Sequence, residues 1–221
     1  DAPAAAAGVP GGDDSLVVNA DANVAKLGAA IAARVRAEGL ATLRGIGQKA
    51  NYRGIKAMVT AGEFLRQDPG AQAPTAPSGS DVELALSLSE SAVVQEAKQQ
   101  DGQQAKRTVM FMEARLLALS PPVSPPTVLP VASRTNVGNL AAAIAHALRS
   151  GPGTAAEMRA MGGAAVHQAL IAAAVAQKYL ITDGKGVTFV VVPKFMELEH
   201  GQDADGRRSK QLVLTLFRRD A

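Results

Sequence analysis

Three basic side chains crowd one short stretch of the chain, GQKANYRGIKAM at residues 47–58. Lys49, Arg53 and Lys56 stand at i, i+4 and i+7, so on a helix beginning near Gln48 they share one face. Like charges this close repel one another unless something anionic lies against them. A helix N-terminus adds a partial positive charge and unbonded N–H groups, and the combination suits phosphate. Arg44, at the end of the strand that feeds the turn, extends the patch. The competing interpretation is a solvated helix face that happens to be basic.

A second stretch, GGAAVHQALIAA at residues 162–173, reads as the same piece of structure with the bases removed. Ala164, Gln168 and Ile171 occupy the places of Lys49, Arg53 and Lys56, so the architecture does not itself require charge there. The neutral face is a candidate protein-contact surface, and the first copy is the candidate binding unit.

The elements that must position these residues repeat as a set. NVAKLGAAIAARVRAEG from Asn23 lies beside NVGNLAAAIAHALRSGPG from Asn136, and LATLRGIGQKA from Leu40 beside AAEMRAMGGAA from Ala155. Each copy opens with a short strand, SLVVNA or TVLPVAS. An amphipathic helix follows, with apolar residues at Val24, Leu27, Ile31 and Val35 or at Val137, Leu140, Ile144 and Leu148, ended by Gly39 or Gly151. A second strand and a second helix come next. Two β-branched runs close each copy, joined around Asp101-Gly102 or Asp205-Gly206, a hairpin signal. The order is βαβαββ, twice. Crossover handedness puts both helices on one side of a four-stranded mixed sheet, giving an α/β chain of the α+β two-layer sandwich kind.

This sets the expected domains at 15–119 and 126–221. Residues 1–14 form a flexible tail of the kind left when a transit peptide is removed, and residues 120–125 a proline-rich linker. The breaker-rich residues 68–80 form a surface insertion in the first copy.

Composition narrows the function classes. The chain has 221 residues, of which 47% are hydrophobic and only 3% aromatic. The core must therefore be built from Ala, Val, Leu and Ile, with closely approaching helices. Absence of cysteine removes disulfides and thiolate catalysis. The best candidate for a spanning helix, residues 164–180, is interrupted by His167, Gln168, Gln177 and Lys178, so no membrane span is expected. A net charge of +3 is mild, which makes clustering of the bases the relevant quantity.

Other motifs compete for attention. Lys106 and Arg107 in the first hairpin, and Arg207, Arg208 and Lys210 in the second, could follow a groove through phosphate contacts or simply keep strand edges from pairing with other chains. GIGQKA at 45–50 fits a G-x-G-x-x-A dinucleotide fingerprint, but AMGGAA in the second copy loses the first Gly and no acidic residue follows at the expected distance. MELEHGQDADG gathers Glu197, Glu199, His200, Asp203 and Asp205 without the ligand spacing of a calcium or zinc site. His146 and His167 have no Ser or carboxylate partner legible in the sequence. Neither metal nor cofactor nor catalysis is expected.

MRAMGGAAVHQALIAAAVAQKYL followed by GVTFVVVPKFMELE resembles the bacterial stage V sporulation protein S family, a small protein of one such unit. That family has a Gly-Ala-Gly-Ala turn, an Asn-Gln-Ala-Val-Lys-Ala helix start and an Ile-Pro-Ala-Phe strand. The second copy presents Val192-Pro193-Lys194-Phe195 at the last motif. The first matches the turn and helix start through Gly47, Ala50, Ile55, Lys56 and Ala57, and lacks the Pro-Phe motif. The family is similar in turn to Alba proteins, which bind DNA and RNA as dimers through a basic turn before the second helix and a β-hairpin arm. The resemblance implies an Alba-type dimer fused into one polypeptide.

The expected function is non-enzymatic binding of RNA or DNA through Arg44, Lys49, Arg53 and Lys56 and the hairpin bases, with low sequence selectivity. A scaffold or assembly subunit is the alternative, and a nucleotide sensor at the Gly47 turn a third. Alanine-rich composition and bacterial-type ancestry suggest a plastid (chloroplast) location.

Overall fold

A computed structural model describes residues 14–68, 81–94, 106–184, 186–202 and 208–220. For residues 90–94, 106–108, 199–202, 208 and 220 it describes the backbone alone. The expected tail, most of the 68–80 insertion and both hairpin tips lie outside the described residues, although Asp14 is held by Arg34 and Asp68 by Arg36.

The first copy comprises β1 (Leu16–Val18), α1 (Val24–Glu38), β2 (Ala41–Ile46), α2 (Gln48–Arg66), β3 (Asp81–Val94) and β4 (Lys106–Leu119). The second repeats the series as β5 (Thr127–Val131), α3 (Val137–Arg149), β6 (Ala155–Ala160), α4 (Gly162–Thr182), β7 (Val187–Gln202) and β8 (Arg208–Asp220). The βαβαββ order read from the repeat is the order observed.

Local chemistry explains the element ends. Asn23 and Asn136 each cap the helix that follows, their side-chain oxygens accepting from the backbone N–H three residues on at 3.0 Å. Gly39 closes α1 in the left-handed region, as its position implies. In α3 the helix stops one residue earlier than expected, at Ser150, and Gly151 lies in the turn beyond.

The two four-stranded sheets are not separate. They join into a single eight-stranded sheet in the order β1-β2-β4-β3-β7-β8-β6-β5, with β3 and β7 antiparallel at the centre. The seam is one register pair, Leu86 with Val191. Leu86 faces Ala114 within its own copy and Val191 faces Leu216 within the other, so the two seam residues are equivalents lying on a pseudo-twofold axis. Pro193, two residues on, has no N–H to carry that ladder further. The ion pair of Lys194 with Glu83, at 2.5 Å, ties the two strands below it.

The helices cover one face. Leu43, Leu86, Met110 and Met112 of the first copy point into them beside Ile31, Ile55 and Met58, while Met158, Leu214 and Leu216 meet Ile144, Leu148 and Leu170 in the second. This forms one continuous core across both copies. As expected of a core built from small residues, the helices approach closely: a Cβ placed on Gly28 of α1 would lie 3.0 Å from Thr60 of α2. Helix α4 has the length and mean hydropathy, 1.2, of a membrane-crossing segment. Half of that segment is buried within the fold, Ala165, Val166, Ala169, Leu170, Ala173 and Leu180 among it.

On the opposite face Ala85, Val190 and Val192 form a small second cluster. Pro121 and Pro122 line a cavity of about 200 Å³ with Val192 and Phe217, so the linker runs across this face from β4, third in the sheet, to the far edge at β5. The Val123 N–H donates to the Gly153 carbonyl at 3.1 Å and anchors it there.

Candidate nucleic-acid interface

The turn before α2 is made by Gly47, whose φ of 83° excludes other residues at low cost; Gly162 repeats it at 81°. Unlike α1 and α3, neither α2 nor α4 receives a side-chain cap. The first-turn N–H groups of α2 are therefore left without a side-chain acceptor, and the helix presents its positive end to whatever lies beyond.

Around that end stand the cations read from the sequence. Lys49 and Arg53 are exposed on the outward face of α2, with Lys56 half-buried one turn further on. The Lys56 ammonium lies over the Tyr52 ring, 5.5 Å from its centroid, and the same ring packs against Gly163 of α4. Tyr52 is thus engaged both by its own helix and by α4. Arg44 is exposed on β2, but it points from the sheet face away from the helices, so it flanks the helix patch instead of continuing it. Among the described residues no carboxylate pairs with Arg44, Lys49, Arg53 or Lys56.

The second copy neutralises the same places. Ala164, Gln168 and Ile171 replace the three helix cations, and all three are half-buried. Ile171 packs on the core, and the Gln168 amide donates to the Ser133 carbonyl at 3.4 Å. Arg159, the equivalent of Arg44, is bound by Glu157 at 2.6 Å, where the first copy has Thr42. Arginine and glutamate two apart on one strand share a face, so this difference was already readable in the sequence.

The hairpin bases divide. Lys210 is exposed and sits 3.8 Å from Glu197. Lys106, Arg107 and Arg208 lie on strand ends whose backbones pair with Val94, Val93 and Gln202, but their side chains, like Arg207 as a whole, lie outside the described residues. Because β3 and β7 run antiparallel, the two hairpins leave the sheet in opposite directions.

Where α2 and α4 meet, their N-terminal turns cross on the pseudo-twofold axis. A Cβ on Gly163 would lie 3.4 Å from the amide nitrogen of its own equivalent, Gln48. Beside this crossing Asn51, 1% exposed, donates from Nδ2 to His167 Nδ1 at 3.2 Å. The mirror-related positions are Tyr52 and Val166, so this polar contact forms once and distinguishes the two copies. Sequence offered no partner for His167 because the contact spans 116 positions. Burial pushes the His167 imidazole below its ordinary range.

That displacement makes stability depend on pH. The unfolded chain takes up a proton near pH 6.5, whereas the folded one resists until lower pH. The contribution of neutral His167 is therefore complete above about pH 6.5 and declines as pH falls toward the folded-state value. Thermal unfolding followed from pH 7.5 to about 5 should show the parent losing stability more steeply than His167→Gln. Parallel profiles would remove His167 as the cause.

No group of three or more metal-ligating side chains occurs among the described residues. A search of curated proteins returns no match. The family described as Stage V sporulation protein S (SpoVS) matches residues 14–93 and again residues 127–213. With more than half of its length covered by two matches, the first spanning β1 to β3 and the second running from β5 into β8, the chain belongs to the SpoVS family as a tandem of two such domains.

Proposed function

We propose that the chain is a non-enzymatic nucleic-acid-binding protein, a covalent pseudo-dimer that meets RNA or DNA backbones through the N-terminal face of α2. The observation that carries this reading is the asymmetry between copies. One helix start keeps Lys49, Arg53 and Lys56 free of carboxylates among the described residues, and the equivalent start has no cation at those places. Unpaired like charges gathered at an uncapped helix end destabilise the free protein slightly and favour an anion. The resemblance to Alba proteins, which use the corresponding turn, supports the same reading. Contacts of this type position a duplex or strand without reading its sequence.

Titration against labelled single-stranded RNA and duplex DNA tests it. With three to four phosphates engaged, log affinity for duplex DNA should fall against log salt with a slope of about −3. Binding that is absent even at low salt would overturn the proposal. It would favour the scaffold reading, for which the specific observation is the exposed end of α4, where Ile181 is 60% accessible beside Tyr179.

A further inference from the structure

We infer that the first copy carries a pocket for a single nucleotide, with its base on Phe111 and its phosphate on Arg44; as a part of strand recognition, this rests on the function proposed above. A cavity of about 440 Å³ opens beside the end of β2 on the sheet face turned from the helices. Its volume lies within the range of small-molecule sites. Val17, Ile46, Val109 and Phe111 make its walls apolar, and Arg44 is the one charged group among the described residues that line it.

The register puts Arg44 directly between Val17 and Phe111 on neighbouring strands. Phe111 is half-buried, and Ile46 is 38% accessible, so apolar surface faces the opening. A flat aromatic ring fits against Phe111, and base–aromatic stacking of this kind tolerates any base. The guanidinium beside it offers a planar fork of donors matched to a phosphate. Glu113, on the same face of β4, lies opposite Thr42 and reaches Arg115 at 3.9 Å, and among the described residues no carboxylate pairs with Arg44. Asn19 at the rim adds hydrogen-bonding capacity.

Position also argues for a nucleotide. Ala50, in the first turn of α2 and adjacent to Lys49, closes one side of the cavity. A strand whose backbone lies on Lys49 and Arg53 passes the mouth and can turn one base inward.

The second copy shows what the site looks like when it is lost. Val213 stands where the first copy has Phe111, Gln211 where it has Val109, and Pro130 where it has Val17. Arg159 is clamped by Glu157. The stacking ring is gone, an amide stands in the apolar wall and the guanidinium is paired, while the fold is kept.

Two substitutions test the pocket without opening the core. Phe111→Leu keeps apolar volume and removes the stacking face. Thr42→Glu transplants the clamp of the second copy onto Arg44. The full-length chain and each variant are titrated with uridine monophosphate, and with a labelled oligouridylate that reports strand binding. Circular dichroism confirms folding. Each variant is expected to weaken both ligands about tenfold, in line with the worth of one stacked base or one charged contact.

Loss of monophosphate binding in the variants with strand binding unchanged would assign the pocket to a free nucleotide, and so would the same loss in the variants of a parent that binds the monophosphate but no strand. Monophosphate binding that is absent from the parent, or unchanged in both variants, would overturn the pocket. Strand binding that still responds to Lys49 and Arg53 would in that case leave the phosphate-tracking face standing.

Discussion

Reversing two charges on one helix, Lys49→Glu with Arg53→Glu, is expected to weaken binding of single-stranded RNA and duplex DNA by at least about a hundredfold, with unfolding of the protein unchanged. Each substitution removes a charge-assisted contact worth roughly 1.5–3 kcal/mol and adds a repulsive charge beside the phosphates. Two such losses sum to about 3–6 kcal/mol, and each 1.4 kcal/mol is a factor of ten. The effect on the fold should be small because both side chains are exposed and neither has a carboxylate partner among the described residues that would be left behind. New acidic groups near the N-terminal turn of α2 interact favourably with the helix dipole, which offsets some of any loss in stability. The affinity change is measured by anisotropy at low salt, and folding by thermal denaturation. If the double variant bound both nucleic acids as tightly as the parent, the α2 face would not be the interface. Replacement by Ala in place of Glu is the milder form, and it should flatten the salt slope for duplex DNA by about 2.

The parts of this arrangement that sequence reveals are those governed by local periodicity. Val24, Leu27, Ile31 and Val35 mark a helix because their spacing does, and the alternation through β4 marks a strand for the same reason. The i, i+4, i+7 spacing of Lys49, Arg53 and Lys56 likewise fixes their common helix, and the duplicate helix made their charge conspicuous. Relations between elements were hidden. Nothing in the pattern around Leu86 says that its neighbour is Val191, since an apolar strand accepts a partner on either edge. Asn51 is polar on a helix where exposure would be expected, and only the crossing with α4 explains its burial. Arg44 was legible as basic, but the sheet face from which it projects follows from the pairing with Phe111, which also brings the aromatic ring into account. A patch that looked continuous along the sequence is therefore divided between two faces, with Ala50 lining the cavity beside Arg44.

Gly45→Ala is expected to be the most destabilising of the small substitutions near the site, by about 3 kcal/mol. A methyl group at this position in β2 would lie 2.4 Å from Asn51 Oδ1, far inside contact distance. The oxygen cannot easily retreat, because the same amide is buried and held to His167 from its other end. Either the helix shifts, at the cost of about 1–3 kcal/mol typical of overpacking, or the amide turns away and abandons its hydrogen bond, stranding buried polar groups at a similar cost. Better strand propensity for Ala recovers less than about 1 kcal/mol. A double-mutant cycle with Asn51→Ala separates this contact from a general intolerance of the strand. Asn51→Ala alone should destabilise the chain by removing the only partner of His167 Nδ1 among the described residues, whereas adding Gly45→Ala to it should cost little more. Urea midpoints for the four proteins supply the coupling energy. Strictly additive losses, or a Gly45→Ala midpoint equal to that of the parent, would show that Asn51 does not occupy this position. Since the substitution leaves Arg44, Lys49, Arg53 and Lys56 in place, the fraction that remains folded should bind duplex DNA with the salt slope of the parent. Gly45 and Asn51 therefore hold the charged helix end in position from inside the fold.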